Sequence, residues 1–431
     1  MMHNQFLLLK DRRFLPLFVT QFFGAFHDNL FKNALIILIL YRIATATGMD
    51  EQTQALLTTA AAGTLVLPFF IFSALGGQLA DKFPKFRVIR VIKLVEIGIA
   101  FLGAAALWSE SLTLCFLNLF ALGTHSAFFG PCKYSILPEK LRQDELIGGN
   151  ALLNTGTFLA ILLGTIAGLS LMAQDRGEHL VGAIMVIISL IGYIAARYIP
   201  EHRAANAVLK FNLNPLTETW KVLKHSFSGR RDIVVSMLGK GWFFCTGSLF
   251  LSQFPNYVKN TLGAEENVLT MFTVLFSVGI GIGGLFNNKL LRGEISASLV
   301  PFAAIGIAIF GTDLYFATNY ALRAEDGELM TLSIFASHLA HWRIIADTVL
   351  LSMSSGLFVV PLATILQDRT DEALRARTMA GSAIIDSLFM VSTAVAAGIL
   401  ISAGFEIREL FLAFSLISLA VAAAIRALLP K

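Results

Sequence analysis

Twelve stretches of this chain are apolar over lengths close to the roughly 20 residues that a helix needs to cross a hydrocarbon core. They are read at about residues 14–41, 55–80, 88–108, 112–129, 146–171 and 181–198, and again at 233–258, 268–291, 295–317, 344–366, 378–404 and 410–428. Lipid offers no water to an open backbone N–H or C=O, so such runs cross as helices or as closed barrels. The short alternating segments of a barrel are missing, which leaves helices. Charged residues make up 14% of the chain, against about 25% in an average soluble domain. The first apolar stretch, Phe14 to Tyr41, is too long for the core of a cleavable signal peptide. Cys115, Cys132 and Cys245 are odd in number, and two lie inside predicted helices, so no disulfide framework is expected.

Charge asymmetry sets the expected orientation. Lys10, Arg12, Arg13, Lys82, Lys85, Arg87, Lys133, Lys140, Arg230, Arg231, Arg375, Arg377 and Lys431 fall on one side. The other side holds few cations: Arg42, Arg176, Lys259, Arg323, Arg343 and Arg408. By the positive-inside rule, both termini are expected in the cytoplasm. Residues 1–199 then form an N-terminal six-helix bundle, 200–231 a cytoplasmic linker, and 232–431 a C-terminal six-helix bundle. Inside the linker, Asn214-Pro215 reads as a helix start. Leu216, Trp220, Leu223 and Phe227 follow at helical spacing beside Lys221 and Lys224. That pattern suits an amphipathic helix on the inner leaflet, or one packed on the two bundles. The segment 329–343 reads either as part of a span or as a stretch on the outer surface.

A weak internal repeat supports two equivalent halves. Tyr134-Ser-Ile-Leu-Pro-Glu139 follows the fourth helix, and Ala363-Thr-Ile-Leu-Gln-Asp368 closes the tenth. Asn150-Ala-Leu-Leu-Asn154 is answered by Ser382-Ala-Ile-Ile-Asp386. Parallel six-helix repeats with a site between them near the midplane are the plan of the major facilitator fold. Between helices two and three, Gly76-Gly77-Gln78-Leu79-Ala80-Asp81-Lys82 followed by Lys85 and Arg87 resembles the signature loop of that superfamily. Gly77 permits close helix packing. Asp81 suits the positive end of a helix or an arginine of the other bundle. Gly77, Asp81 and Lys82, with Lys133 and Glu139 after helix four, are the candidate gating residues. The matching loop, Gly284 to Lys289, lacks the acid.

Four further motifs narrow the family. They are Gln21-Phe-Phe-Gly-Ala-Phe-His-Asp28-Asn29-Leu-Phe-Lys32 in helix one, and Phe128-Phe-Gly-Pro-Cys-Lys133 through Glu139 at the end of helix four. The others are Gly149-Asn-Ala-Leu-Leu-Asn154 through Gly164 in helix five, and Gly356-Leu-Phe-Val-Val-Pro361 in helix ten. Together they resemble the bacterial lysophospholipid transporter family, and most of all the transporter module of fused transporter and acyltransferase proteins. The resemblance implies an all-α membrane protein of major facilitator fold, with 12 transmembrane helices in two six-helix bundles. It implies a multi-pass protein of the bacterial inner membrane that moves lysophosphatidylethanolamine and similar lysolipids from the outer to the inner leaflet for reacylation. Membrane lipid and a separate acyltransferase are the partners it implies, since no acyltransferase segment precedes Lys431. Three departures stand out. His27 occupies a place where the family often has a small or amide residue. Asn154 stands where a glutamate is expected. Helix seven reads Ser248-Leu-Phe-Leu-Ser252 where some members carry an arginine, and its nearest cation is Lys240.

An ionisable residue at the centre of a membrane helix costs roughly 2.5–3.5 kcal/mol on insertion scales, so each needs a reason. Asp28 and Lys32 share a face of helix one, either paired with each other or facing a substrate path. Asn29, Asn154, Lys240 and Asp386 complete the candidate substrate-binding set. Glu96 with Lys93 reads as a structural pair, Lys93 snorkelling inward, or as a proton-relay carboxylate. Asp313 and Asp347 read as interfacial, and His125 as a packed polar contact. His338 and His341 lack a third ligand for a metal. No nucleophile triad and no phosphate-binding Gly-x-x-x-x-Gly-Lys-Ser/Thr loop is present. No enzyme activity, cofactor, metal or nucleic-acid partner is therefore expected. A proton-coupled exporter of drugs or small metabolites is the alternative on the same fold, with Asp28, Glu96 and Asp386 as titrating candidates. A membrane scaffold for an acyltransferase is a third reading.

Overall fold

The computed structural model describes residues 4–321 and 329–429. Arg323 and Lys431, both counted above in the charge asymmetry, lie outside them. Among the described residues, twelve helices are long and apolar enough to cross a membrane. In the first half these are α1 (Leu15–Ile37), α2 (Glu51–Lys82), α3 (Lys85–Trp108), α4 (Leu112–Ser135), α5 (Leu146–Met172) and α6 (Gly177–Arg197). In the second they are α7 (Arg231–Asn256), α8 (Glu266–Leu290), α9 (Val300–Asn319), α10 (Leu339–Asp368), α11 (Arg375–Ser402) and α12 (Ile407–Leu428). A linker helix, Pro215–Ser228, stands between them.

The helix ends follow local chemistry. Asp50 caps α2 by accepting from the Thr53 N–H at 2.8 Å, and Asn214 caps the linker helix through the Leu216 and Thr217 N–H groups. Inside the bundles, glycine sets the spacing. A Cβ on Gly164 would lie 2.5 Å from the Phe26 carbonyl of α1, and one on Gly168 would lie 2.5 Å from the Leu30 carbonyl. This small-xxx-small stripe lets α5 seat directly on α1. Gly283 and Gly356 play the same part between α8 and α10. A second internal likeness escaped the sequence reading. Both α1 and α7 end in a wide turn, Leu38–Ile43 and Tyr257–Leu262. Each extension then stops at a left-handed glycine, Gly48 or Gly263, both at φ 65°.

Some boundaries differ from the sequence reading. The fourth helix runs to Ser135, six residues beyond the expected end at 129, with Pro131 inside it. The tenth begins at Leu339 rather than 344, so His341 and Arg343 belong to it. Residues 329–343 do not form a span of their own. Leu332–Ser337 is a short helix that buries Phe335 at the end opposite the linker, and α10 follows. The linker helix combines both readings offered for it. Val222 and Ser226 pack against Gly381 of α11, and Thr219 Oγ1 donates to the Phe70 carbonyl of α2 at 3.2 Å. Leu216 and Trp220 stay 72% and 70% exposed.

Candidate functional site

The two halves meet through α2 and α11, α4 and α11, α5 and α8, and α5 and α10. Their hydrogen bonds gather at the end that carries the linker. Asp81, at the last turn of α2, is fully buried. Its carboxylate accepts from the backbone N–H groups of Ala376 (3.0 Å) and Arg377 (3.3 Å), and from Arg377 Nε (3.0 Å). Those amides are the first turn of α11, where the helix dipole favours an anion. One turn before Asp81, Gly77 touches α11 directly: a Cβ there would lie 2.9 Å from both Arg377 Cα and Ala380 Cβ. Asn150 of α5 and Gln367 of α10 exchange side-chain bonds of 2.9 and 2.8 Å. Gln5 Nε2 donates to the Leu285 carbonyl at 3.1 Å.

The other expected gating residues are arranged differently. Glu139 binds Lys85 at 2.5 Å inside the first half, both side chains being buried. Lys82 lies beside the Phe83 ring at 5.8 Å. Lys133 is not at the closure at all; it lines the chamber described next. Nearby, the Arg13 guanidinium beside Asp11 holds that carboxyl below the usual carboxylate range. Glu139, His202 and Glu372 bring ligand-type atoms within 4.8 Å of one another, but Glu139 is already held by Lys85.

Above the closure lies a chamber of about 360 Å³ between the halves. Leu65, Val66, Phe69, Phe129, Ile161, Phe244, Leu366, Met379 and Met390 give it a largely apolar wall. Its polar groups come from α1 (Gln21, Asp28, Asn29), α4 (His125, Ser126, Lys133, Tyr134), α5 (Thr157), α7 (Lys240), α10 (Gln367) and α11 (Asp386, Ser387). Asp28 Oδ2 accepts from Ser126 Oγ at 2.6 Å, and Asp28 Oδ1 is buried without a hydrogen-bond partner. Asp386 repeats the arrangement on the opposite wall. Its Oδ2 pairs with Lys240, which also donates to Ser382 Oγ at 3.0 Å, while Oδ1 has no hydrogen-bond partner. Each wall therefore carries one carboxylate with one oxygen held and the other buried without a hydrogen-bond partner.

Of the expected substrate-binding residues, Asp28, Asn29, Lys240 and Asp386 meet in this chamber, and Lys32 and Asn154 do not line it. Lys32 donates to Asn29 Oδ1 at 3.2 Å rather than forming an ion pair with Asp28. Lys240 does not snorkel; it is spent on Asp386 and Ser382. Ser126 and Lys133 were not read as chamber residues. Asp347, expected at an interface, is buried, while Asp313 pairs with Arg343 nearer the surface.

Behind Asp28, Lys93 Nζ binds both oxygens of Glu96 at 2.9 and 2.7 Å. The two side chains are 0% and 1% exposed. Lys93 thus stays in the bundle interior instead of reaching for the surface. Breaking a buried pair costs about 3–5 kcal/mol, because the remaining charge is left uncompensated. Glu96→Gln is expected to lower the apparent melting temperature of the detergent-purified protein and its folded yield. The double change Lys93→Met, Glu96→Leu should recover most of the loss. A single Glu96→Gln protein as stable as wild type would contradict this.

The model of the Major Facilitator Superfamily matches residues 17–324. Lysophospholipid transporter LplT of Klebsiella pneumoniae is 28% identical over 372 residues, covering 84% of this chain and 81% of the relative. The protein of the same name from Escherichia fergusonii is 28% identical over 365 residues, covering 83% and 81%. Among solved structures, a bacterial homologue of the iron transporter ferroportin in the outward-facing state has a TM-score of 0.69 at 14% identity, covering 95% of this chain and 99% of that one. The proton:xylose symporter XylE has a TM-score of 0.69 at 14% identity, covering 96% of each. At those identities the structural likeness is one of fold.

Proposed function

Because the chain belongs to the major facilitator superfamily and is a multi-pass transporter, we propose that its cargo is a lysophospholipid, carried by alternating access from the outer to the inner leaflet of a bacterial inner membrane. The observation that carries this reading is the chamber itself. An acyl chain needs an apolar wall, and a zwitterionic head needs a few fixed charges of both signs. The chamber supplies the aromatic, leucine and methionine lining together with Asp28, Lys133 and the Lys240–Asp386 pair. In this reading the Asp28 carboxylate takes the ammonium of an ethanolamine head, and Lys133 takes the phosphate. The relatives called lysophospholipid transporter, at 28% identity over most of both chains, point the same way. The Asp81–Arg377 closure seals the linker side, which in this reading faces the cytoplasm, so the described state is the one that admits cargo from the opposite side.

The test is uptake of labelled lysophosphatidylethanolamine into proteoliposomes holding the purified chain, beside a two-chain phosphatidylethanolamine. The lysolipid is expected to move at least 10-fold faster than in protein-free vesicles, and the two-chain lipid at the protein-free rate. Equal movement of both lipids would indicate a scramblase. Movement of hydrophilic drugs alone would favour the exporter reading.

A further inference from the structure

We propose that His27 is a proton-binding site coupled to Asp28, so that an organic cation bound at the carboxylate displaces a proton from the imidazole. The inference rests on the reading of Asp28 as the headgroup carboxylate.

The His27 ring is fully buried, and neither of its nitrogens has a hydrogen-bond partner within the protein. A neutral imidazole carries one donor and one acceptor, and leaving both unmet in a packed interior is costly. Its Nδ1 lies 3.9 Å from Asp28 Oδ1, the oxygen that also lacks a hydrogen-bond partner. Two orphaned groups of opposite character thus face each other, and a proton on the ring turns them into an ion pair.

The charges around them direct that pairing. On α1 the neighbours are Asp28 and Lys32. From α3 come Lys93 and Glu96, but Glu96 already holds Lys93 through both oxygens. From α4 come Lys133 and His125, whose Nε2 is 3.8 Å from Glu96 Oε1. Helix α5 has no ionisable residue between Leu146 and Met172, and α6 has only Tyr193 between its two ends. The wall that α2 gives the chamber is apolar there, with Leu65, Val66 and Phe69. The carboxylate left for a protonated His27 is therefore Asp28. When an ammonium occupies the same oxygen, two cations compete for one anion where water is scarce. The bound cargo wins its place by returning the ring to its neutral form. The proton leaves past Asp28, which lines the chamber, into the chamber water.

The experiment measures proton release from the purified full chain in weakly buffered detergent solution, with a pH indicator. Lysophosphatidylethanolamine and the amine-free lysophosphatidylglycerol are added in turn, and binding is followed separately with radiolabelled lipid. Release is expected to rise towards one proton per bound lysophosphatidylethanolamine as the starting pH is lowered and the free protein enters the titration with that proton in place. No release is expected with lysophosphatidylglycerol. His27→Gln should bind lysophosphatidylethanolamine within about threefold of wild type and release less than a tenth of the protons. A second measurement on wild type covers a variant that does not fold. Above about pH 5, where ordinary carboxylates are ionised, affinity for lysophosphatidylethanolamine should fall by up to about tenfold for each unit that the pH is lowered, as one-proton linkage requires, and affinity for lysophosphatidylglycerol should not. Binding of lysophosphatidylethanolamine without proton release would overturn this inference and leave the headgroup reading standing. Release that persists in His27→Gln would overturn the assignment to His27. No binding of lysophosphatidylethanolamine at all would overturn the headgroup reading, and this inference with it.

Discussion

Asp28→Asn is expected to lower lysophosphatidylethanolamine uptake by roughly 10- to 100-fold while leaving a well-folded protein. The size follows from the bond removed: a hydrogen bond to a charged group is worth about 1.5–3 kcal/mol, and 1.4 kcal/mol is a factor of ten. Folding should survive because the amide oxygen of asparagine can still accept from Ser126 Oγ, the only hydrogen bond that the Asp28 side chain makes among the described residues. Lys32 also keeps its hydrogen bond to Asn29. Lysophosphatidylglycerol, which has no amine, should lose less than threefold. The measurement is initial uptake into proteoliposomes at matched protein density. Normal uptake of lysophosphatidylethanolamine by a folded Asp28→Asn protein would remove Asp28 from the cargo path.

The second large effect is expected at the closure. Asp81→Ala removes the acceptor of two α11 backbone amides and of Arg377 in a single change. At about 3 kcal/mol, the low end for breaking a buried ion pair, the balance between the closed and open linker side moves by roughly 100-fold. That shift can be read with Ala383→Cys, a position that lines the chamber. A membrane-impermeant maleimide added from the linker side should label it slowly in the parent and much faster once Asp81 is gone. Uptake should fall as well, because the state that admits cargo is depopulated. Unchanged labelling would show that this contact does not set the balance.

Most of the fold was legible in the sequence because membrane helices declare themselves through local composition. The site was legible in part, and the misses have definite causes. Lys133 was placed after helix four, whose expected end at 129 falls just before Gly130-Pro131, a pair that commonly stops a helix. In the structure α4 runs through Pro131 to Ser135, which turns Lys133 onto the chamber wall. Within a bundle, neighbouring helices can satisfy the backbone group that proline frees, so the usual stop signal is weaker there. Arg377 was counted among the inner cations, but nothing local in the sequence marks it as the partner of Asp81, 296 residues away. Ser126 carries no signal in a single sequence, since its role is one hydrogen bond to a residue on another helix. Asp28, Lys240 and Asp386 were singled out because a charge in the middle of an apolar run is costly wherever it occurs, and all three line the chamber. The likeness of α5 to α11 pointed to Asn154 as the counterpart of Asp386, yet only Asp386 reaches the chamber.

The linker is not moored evenly. Gln78 of α2 exchanges two hydrogen bonds with the Asn212 backbone, at 3.1 and 3.0 Å. The Asp81 carbonyl accepts from the Asn206 N–H at 2.8 Å, and Thr219 reaches the Phe70 carbonyl at 3.2 Å. Against α11 the linker helix, among the described residues, packs through Val222 and Ser226 on Gly381 and through Leu223 beside Met379 and Ile385. At its other end the same helix stops at Ser228, and α7 of the second bundle begins at Arg231. The helix is thus tied to one bundle by directed bonds and to the other by the chain itself, a strap across the α2–α11 seam that carries the exposed Leu216 and Trp220 on its outer side.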